Sequence, residues 1–227
     1  MSRKKKPSGR EVLFQRGRNP GDYLRRAGRR RPQKTILILC EGSQTEPNYF
    51  QALRAEKRLH GVRVEVVPGG EDRVTPLYLV KKVDFYIHQM DWDPERDEAW
   101  CVFDVEGGNA QRSIQRAVIL SRRQNIHLAV SNPAFEFWFL LHFENTDRPF
   151  LDGEELKAAL RMHILVYEEN MAVYPHLREN TEQAIARCRH LRERSEQSWD
   201  IYPNPSTGVD LLVQKLWIVT ENESILN

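Results

Sequence analysis

Four short apolar runs lie in the first part of the chain, separated by segments in which apolar residues recur at helical spacing. Runs of this length without polar alternation are typical of strands buried on both faces of a sheet. Alternation of such strands with helices favours parallel pairing through right-handed crossovers. The pattern predicts an α/β fold with a parallel four-stranded sheet flanked by helices. Thr45 is expected to cap the first helix, and Thr75-Pro76 to start the second. The predicted strands lie at about 36–40, 62–67, 100–104 and 126–130.

Beyond residue 133 the pattern becomes mostly helical. The aromatic run at 135–143 predicts a buried helix, and Asp152 and Glu155 have the spacing of a capping box. We read residues 204–208 as a turn that leads into a last helix. The further predicted helices lie at 152–161, 180–194 and 209–219.

The chain is expected to have three parts. No linker rich in Pro, Gly or Ser separates the helical region from the predicted sheet, so one core is expected to serve both. The parts are a flexible basic arm (1–33), an α/β core (34–133) and a mostly helical extension packed on that core (134–227).

Charge is unevenly distributed along the chain. Residues 1–33 hold 12 Lys or Arg and two acids, whereas residues 34–227 hold 22 Lys or Arg and 30 acids. A run of like charge with little apolar content is typical of an interaction tail, and we favour nucleic acid as its partner. A solubilising tail, or an arm that folds back on the acidic body, are the alternatives. The cations that we expect to bind nucleic acid are Lys4, Lys5, Lys6, Arg25, Arg26, Arg29, Arg30 and Arg31.

Composition narrows the class of protein. The apolar stretches are far shorter than the roughly 20 residues of a membrane-spanning helix. No apolar run follows the basic N-terminus, so a secretory signal is not expected. The three cysteines have no Cys-x-x-Cys spacing, which argues against a disulfide framework or a structural zinc site. We therefore expect a cytoplasmic protein without a membrane segment.

Acidic residues follow two of the predicted strands. Glu41 comes directly after the first strand and Asp104 ends the third, with Glu106 two residues later. The carboxyl ends of parallel strands share one edge of a sheet, where ligands bind. Crowded carboxylates without His or Cys suit Mg²⁺ or Mn²⁺, which can activate water for attack on a phosphodiester. The alternative is structural, since acids after strands are common as helix caps.

Four further polar residues are candidates for lining the site. Glu136, on the aromatic helix, either joins the acidic edge or forms a salt bridge with an arginine. Asn132 precedes that helix, while Asn204 and Ser206 lie where they either approach a phosphate or shape the start of the last helix. His142 is interpreted as a histidine of the hydrophobic core.

Two segments resemble the motifs of a Toprim domain, the metal-dependent module of topoisomerases, primases and OLD-family nucleases. They are the first strand with Glu41-Gly42-x-x-Thr45-Glu46, and the third strand with Asp104-x-Glu106. Together with Asn132-Pro133-x-Phe135-Glu136 and Asn204-Pro205-Ser206-Thr207, they make residues 34–220 similar to the RloB family of prokaryotic defence-island proteins. The resemblance implies a Toprim fold, nuclease activity in anti-phage defence and a partner ATPase of the ABC or AAA type.

The resemblance also implies roles for single residues. Glu41 matches the Toprim glutamate that acts as general acid/base or metal ligand, and Glu46 matches a second acid kept by OLD-like nucleases. Asp104 matches the first metal-binding aspartate. Glu106 stands where the common motif has aspartate, and no lysine lies in its loop, where Arg112 and Arg116 are the nearest cations.

Three functions follow as hypotheses. The first is a nuclease that depends on Mg²⁺ or Mn²⁺, acts on DNA or RNA, and uses Glu41, Glu46, Asp104 and Glu106. The second is a nucleic-acid-binding or sensor subunit whose site is degenerate, and the third is an adaptor that acts only on an ATPase. The chain has no P-loop, so ATP hydrolysis by that route is not expected.

Overall fold

A computed structural model describes residues 34–66, 74–105, 110–195 and 201–225. Its centre is a five-stranded sheet with the strand order β2-β1-β3-β4-β5. The first four strands pair in parallel, which confirms the predicted parallel core. The strands are β1 (Ile36–Cys40), β2 (Val62–Val66), β3 (Glu98–Asp104), β4 (His127–Asn132) and β5 (Ser206–Thr207).

The fifth strand corrects the reading of residues 204–208 as a turn. Ser206 and Thr207 pair antiparallel with β4, and the Gly208 N–H extends the pairing to the Val130 carbonyl at 2.9 Å. The Ser131 and Thr207 hydroxyls lie 3.0 Å apart across the same pair of strands. The sheet is therefore mixed, with one short antiparallel edge.

Eight α-helices and one 3-10 turn complete the described part of the chain. The first three connect the parallel strands, and the other five belong to the C-terminal region. They are α1 (Thr45–Lys57), α2 (Pro76–Ile87), α3 (Ala110–Gln124), α4 (Glu136–Leu140), α5 (Gly153–Arg161), α6 (Tyr174–Leu177), the 3-10 turn Arg178–Asn180, α7 (Thr181–Ser195) and α8 (Val209–Ile225).

Two of the predicted caps are present and one is not. The Thr75 side chain accepts a hydrogen bond from the Tyr78 N–H at the start of α2, and Asp152 accepts one from the Glu155 N–H at the start of α5. Thr45, in contrast, is the first residue inside α1, and its preceding residue Gln44 makes no side-chain cap. The prediction of a Thr45 cap was therefore wrong, because Thr45 lies inside the first turn of α1 and not at its N-cap position.

The sheet is buried on both faces, as the unbroken apolar strands predict. Alternate residues of β1 enter different cores: Ile36, Ile38 and Cys40 face one core, and Leu37 and Leu39 face the other. One core is closed by α2 and α3. The other core contains residues from α1 and from the C-terminal helices, including the aromatic segment at 135–141. The helical C-terminal region thus packs against the sheet, and residues 34–227 form one compact unit.

The structure also bears on the cysteines and on membrane-spanning helices. The three cysteines are free and buried. Among the described residues, none of the helices has both the length and the apolar content needed to cross a membrane.

Candidate functional site

A cavity of about 260 Å³ opens at the carboxyl ends of β1 and β3. Because β1 pairs directly with β3, the residues that follow the two strands meet at the same edge of the sheet. The cavity is lined by the loop at 42–46, by Asp104, by residues 134–136 before and at the start of α4, and by Gly153, Lys157 and Glu169.

The loop after β1 is shaped by a buried carboxylate. Glu41 continues the strand, since its N–H donates to the Val102 carbonyl at 3.0 Å. Glu46 is 5 % exposed and folds back over the loop, where its Oε1 accepts a hydrogen bond from the Gly42 N–H at 3.2 Å. A methyl group at position 42 would overlap that carboxylate. The Glu-Gly-x-x-Thr-Glu pattern therefore reflects a close approach of Glu46 to the backbone at Gly42.

Asp104 is the central acid of the cavity. Its carboxylate lies near the Phe135 backbone N–H, between the end of β3 and the start of α4. Its Oδ1 is buried and has no hydrogen-bond partner among the described residues. Burial raises the pKa of Asp104 well above its usual value, and the charges of Glu46, Glu136 and Glu41 raise it further. A cation bound at Oδ1 would give this oxygen a partner and would offset the repulsion between the carboxylates.

Glu136 brings a fourth carboxylate to the same edge. It is 4 % exposed, and its Oε1 accepts a hydrogen bond from the Tyr167 hydroxyl at 3.0 Å. The Thr45 side chain lies near the same hydroxyl. Burial raises the pKa of Glu136, while hydrogen bonds from its own N–H and from Tyr167, together with the charge of Lys157, oppose the rise. Of the two predicted environments, Glu136 thus lies at the acidic edge.

Glu46 titrates near neutral pH for the same reasons. Burial raises its pKa to about 7, and the charges of Glu136 and Glu169 add to the rise. Hydrogen bonds from its own N–H and from Gly42 act in the opposite direction but are outweighed. The cavity therefore contains acids that hold protons at a pH where exposed carboxylates are ionised.

One lysine faces these acids, and sequence analysis did not identify it. Lys157, on α5, forms ion pairs with Glu154 at 2.9 Å and with Glu169. Burial lowers the pKa of Lys157, but these two partners outweigh burial and raise it. Lys157 and Glu169 also line an adjoining cavity of about 360 Å³. The capping pattern predicted α5 but could not show that its second turn reaches the strand ends, because that contact is tertiary.

The remaining predicted residues have different positions. The Asn132 side chain donates to the Tyr202 carbonyl at 2.7 Å, and the Asn204 amide bonds both backbone groups of Phe150 at 2.7 and 3.1 Å. These residues and Ser206 do not line the acidic cavity. His142 is a core residue, as interpreted: it packs on Trp138, and burial lowers its pKa to about 4.

The third predicted metal ligand, Glu106, lies outside the described residues, as do the cations of the arm at 1–33. Within the described ranges, no three acidic, His or Cys side chains are arranged as a ready set of metal ligands. The chemistry of the cavity nevertheless fits a hard divalent cation, because its donors are carboxylate oxygens and the buried Asp104 Oδ1 has no protein partner.

Comparison with known proteins identifies the family of the chain. Searches of curated proteins and of solved structures found no match. The family model described as RloB-like protein matches residues 36–216, which include all five strands and the acidic cavity. The chain therefore belongs to the RloB-like protein family.

Proposed function

We propose that this protein is a metal-dependent nuclease that hydrolyses phosphodiester bonds at the acidic cavity. The observation that carries the proposal is the buried, unpartnered Oδ1 of Asp104 among acids whose charges raise its pKa. Such a cluster is unfavourable in itself and becomes favourable when a cation is bound. Its position at the carboxyl ends of two adjacent parallel strands is where α/β folds bind ligands.

The residues at this edge of the sheet have different proposed roles. Asp104 and Glu41 would hold Mg²⁺ or Mn²⁺, with Glu106 as the third ligand that the motif implies. The ion, when bound, supplies charge for the phosphate oxygens and lowers the pKa of water. Glu46, whose pKa of about 7 is near working pH, suits a group that accepts a proton. Lys157 places a positive charge beside the acids, where it can attract a phosphate.

The biological setting rests on the family resemblance. We propose that the nuclease acts in the cytoplasm of a prokaryote in anti-phage defence, on DNA or RNA. An ATPase of the ABC or AAA type is its proposed regulator, so cleavage by the isolated chain should be weak and should rise when the neighbouring ATPase is added.

A cleavage assay tests the proposal. Wild-type protein with Mn²⁺ or Mg²⁺ should cut at least one of tRNA, single-stranded RNA, single-stranded DNA and duplex DNA, alone or with the ATPase. Asp104→Asn should abolish cutting, whereas Glu193→Gln, an exposed acid of α7, should not change it. The proposal fails if Asp104→Asn cuts as well as wild type, or if EDTA has no effect on cutting.

The alternative is a nucleic-acid-binding subunit without catalytic activity. It is favoured by the lack of a complete three-ligand set among the described side chains. In that case nucleic acid should bind equally well to wild type and Asp104→Asn, and no divalent metal should produce cleavage.

A further inference from the structure

The outer face of α2 and α3 carries an excess of positive charge on an otherwise acidic body. The two helices contain six Lys or Arg, and the acidic residue within their bounds is Asp84, whose Oδ2 accepts a hydrogen bond from Gln124 at 3.3 Å. Residues 34–227 as a whole have eight more acids than bases. The six basic residues are Lys81, Lys82, Arg112, Arg116, Arg122 and Arg123.

On α3 the arginines form a row. Arg112, Arg116, Ile119 and Arg123 follow one another at intervals of four, three and four, so they lie on one side of the helix. All four are exposed, and the opposite side, which includes Ile114 and Ala117, is buried against the sheet. At 1.5 Å per residue the row is about 16 Å long.

Within the part of the chain that the structure describes, no salt bridge explains the position of these arginines. Within the described ranges, Arg112, Arg116, Arg122 and Arg123 form no ion pair, although other arginines of the body do, for example Arg192 with Asp210. Four exposed guanidinium groups on one helix without acids repel one another, and an external anion would relieve that repulsion.

A second row, on α2, adds aromatic rings. Tyr78, Lys82 and Phe85 have the same four-three spacing, and Phe85 is 60 % exposed. The Lys82 ammonium lies 5.0 Å from the centre of the Tyr78 ring and 5.6 Å from that of Phe85. The row thus presents two rings and a cation to solvent.

The two helices that carry these rows lie side by side. The Ser113 hydroxyl, near the start of α3, accepts a hydrogen bond from the Leu77 N–H near the start of α2, at 3.1 Å. Gln124 donates to Asp84 near the ends of the same helices. The helices therefore run parallel, and both rows lie on this one pair of helices.

We infer that this surface, defined by Tyr78, Lys82, Phe85, Arg112, Arg116 and Arg123, binds single-stranded nucleic acid. Rows of cations contact consecutive phosphates, and exposed rings stack on unpaired bases, which a duplex does not offer. The α3 helix begins at Ala110, six residues after β3 ends at Asp104, so its first turn lies on the side of the sheet where the carboxyl ends of the parallel strands are. A nucleic-acid strand bound along α3 would therefore have one end on that side. The inference rests on the proposed function for the identity of the polyanion.

A binding assay without catalysis tests this inference. Full-length Asp104→Asn protein in EDTA is titrated against fluorescein-labelled oligouridylate and its deoxy equivalent at several KCl concentrations. The test variant adds Arg116→Gln and Arg123→Gln. The control adds Arg58→Gln and Arg189→Gln, which remove an exposed arginine directly after α1 and one on α7. Both helices contribute to the hydrophobic core on the opposite face of the sheet. Thermal melting of both variants checks that the fold is intact.

The test variant should bind about tenfold more weakly at low salt, and the control should bind like its parent. The dependence of log K on log salt should become shallower by about 1.4 in the test variant, because each lost phosphate contact removes about 0.7 on a single strand. Phe85→Leu should weaken binding of the oligouridylate but not of a duplex, since it removes a stacking ring without changing charge.

Three results would overturn the inference: equal losses in test and control, unchanged affinity in the test variant, or substitutions that alter only self-association or capture of a protein. The outcomes separate this surface from the proposed function. Cleavage by wild type with unchanged binding of the test variant refutes the surface alone. Selective loss of binding without any metal-dependent cleavage by wild type refutes the nuclease alone.

Discussion

Gly42 owes its place in the loop after β1 to the carboxylate that folds over it. The Glu46 side chain occupies the space where a Cβ would lie and accepts the Gly42 N–H at 3.2 Å. Gly208, by contrast, has ordinary room, since an added Cβ would lie 3.5 Å from the Val130 nitrogen. The two glycines form a matched pair for testing whether the loop is built around Glu46.

Gly42→Ala should destabilise the protein by about 1–3 kcal/mol, the usual cost of inserting a methyl group into filled space. Urea denaturation measures this free energy of unfolding. Gly208→Ala should cost less, and Gly42→Ala should cost less in a Glu46→Ala background, where the carboxylate is gone. An equal cost in both backgrounds would show that the backbone of the loop, and not Glu46, requires glycine at this position.

Glu46 should make the metal-free protein less stable as pH rises. Its pKa is about 7 in the folded chain and 4.5 ordinarily, so between these values the folded state holds more protons than the unfolded state. The free energy of unfolding then falls as pH rises from about 4.5 to about 7, by about 3 kcal/mol for this group. Glu46→Gln in EDTA should therefore match wild type near pH 4 and exceed it at pH 8.

Urea denaturation at the two pH values measures the effect, with Glu193→Gln as the exposed control on α7. If Glu46→Gln follows the wild-type curve at both pH values, the raised pKa of Glu46 is refuted.

At the residue scale the sequence predicted the acids better than their partners. Glu41 and Asp104 could be placed together because each follows an apolar strand and parallel strands share an edge. Lys157 and Tyr167 could not, because they reach the cavity from the C-terminal helical region through contacts that leave no period or spacing in the sequence.

At the scale of elements, the last two long helices are joined by a buried ion pair. Arg192 of α7 donates from Nη1 to Asp210 Oδ1 at 3.0 Å and from Nη2 to Oδ2 at 2.5 Å. Asp210 lies in the first turn of α8 and is completely buried, while the Arg192 side chain is 40 % exposed. The pair therefore fixes α8 through a carboxylate that has no access to water.

Arg192→Met should destabilise the protein by about 3 kcal/mol, since it leaves the Asp210 charge buried with Gln214 as its one remaining side-chain donor among the described residues. Arg192→Met combined with Asp210→Leu should recover much of that loss. The double-mutant cycle is measured by urea denaturation, and Arg189→Met on the same helix serves as an exposed control. Additive single effects would contradict a coupled pair.

The bounds of strands and helices were predicted well where the sequence has a clear apolar pattern. The four parallel strands were predicted within two residues because each is a continuous apolar run. The β5 strand was missed because two residues, Ser206 and Thr207, carry no apolar pattern and become a strand only by pairing with β4. The last helix extends to Ile225, beyond the predicted 219, because its polar end gives no stop signal.

At the scale of the whole molecule, residues 34–227 contain the sheet and both hydrophobic cores. The acidic cavity lies at one edge of that sheet, and the basic surface of α2 and α3 covers one face. The 12 Lys or Arg of residues 1–33 add further positive charge to the same chain. Binding of nucleic acid should therefore depend on both the arm and the body.

Deletion of residues 1–33 should leave the melting temperature unchanged, because the two cores remain. It should weaken nucleic-acid binding and make its salt dependence shallower, since fewer cations displace counterions. Anisotropy titrations over a range of KCl concentrations measure both quantities. Unchanged affinity and salt slope would assign the arm to solubility or to a protein partner.

We propose that the acids around Asp104 are arranged to bind a cation. Asp97 is a buried carboxylate of the opposite kind. It accepts hydrogen bonds from the Arg96 side chain and from the backbone N–H groups of Thr35 and Asp93. Burial raises its pKa, but these hydrogen bonds outweigh burial and lower it. Asp104 instead has a buried oxygen without a partner and a pKa that is raised. Removal of the charge should therefore have opposite effects at the two positions.

The most direct measurement is the free energy of unfolding of wild type, Asp104→Asn and Asp97→Asn at pH 7.5, in EDTA and in excess Mn²⁺. Without metal, Asp104→Asn should be at least as stable as wild type, and Asp97→Asn should be less stable. Mn²⁺ at about 100 times its dissociation constant should stabilise wild type and Asp97→Asn by about 2.7 kcal/mol and have little effect on Asp104→Asn. If Asp104→Asn is less stable than wild type without metal and is still stabilised by Mn²⁺ as much as wild type, Asp104 does not hold the cation.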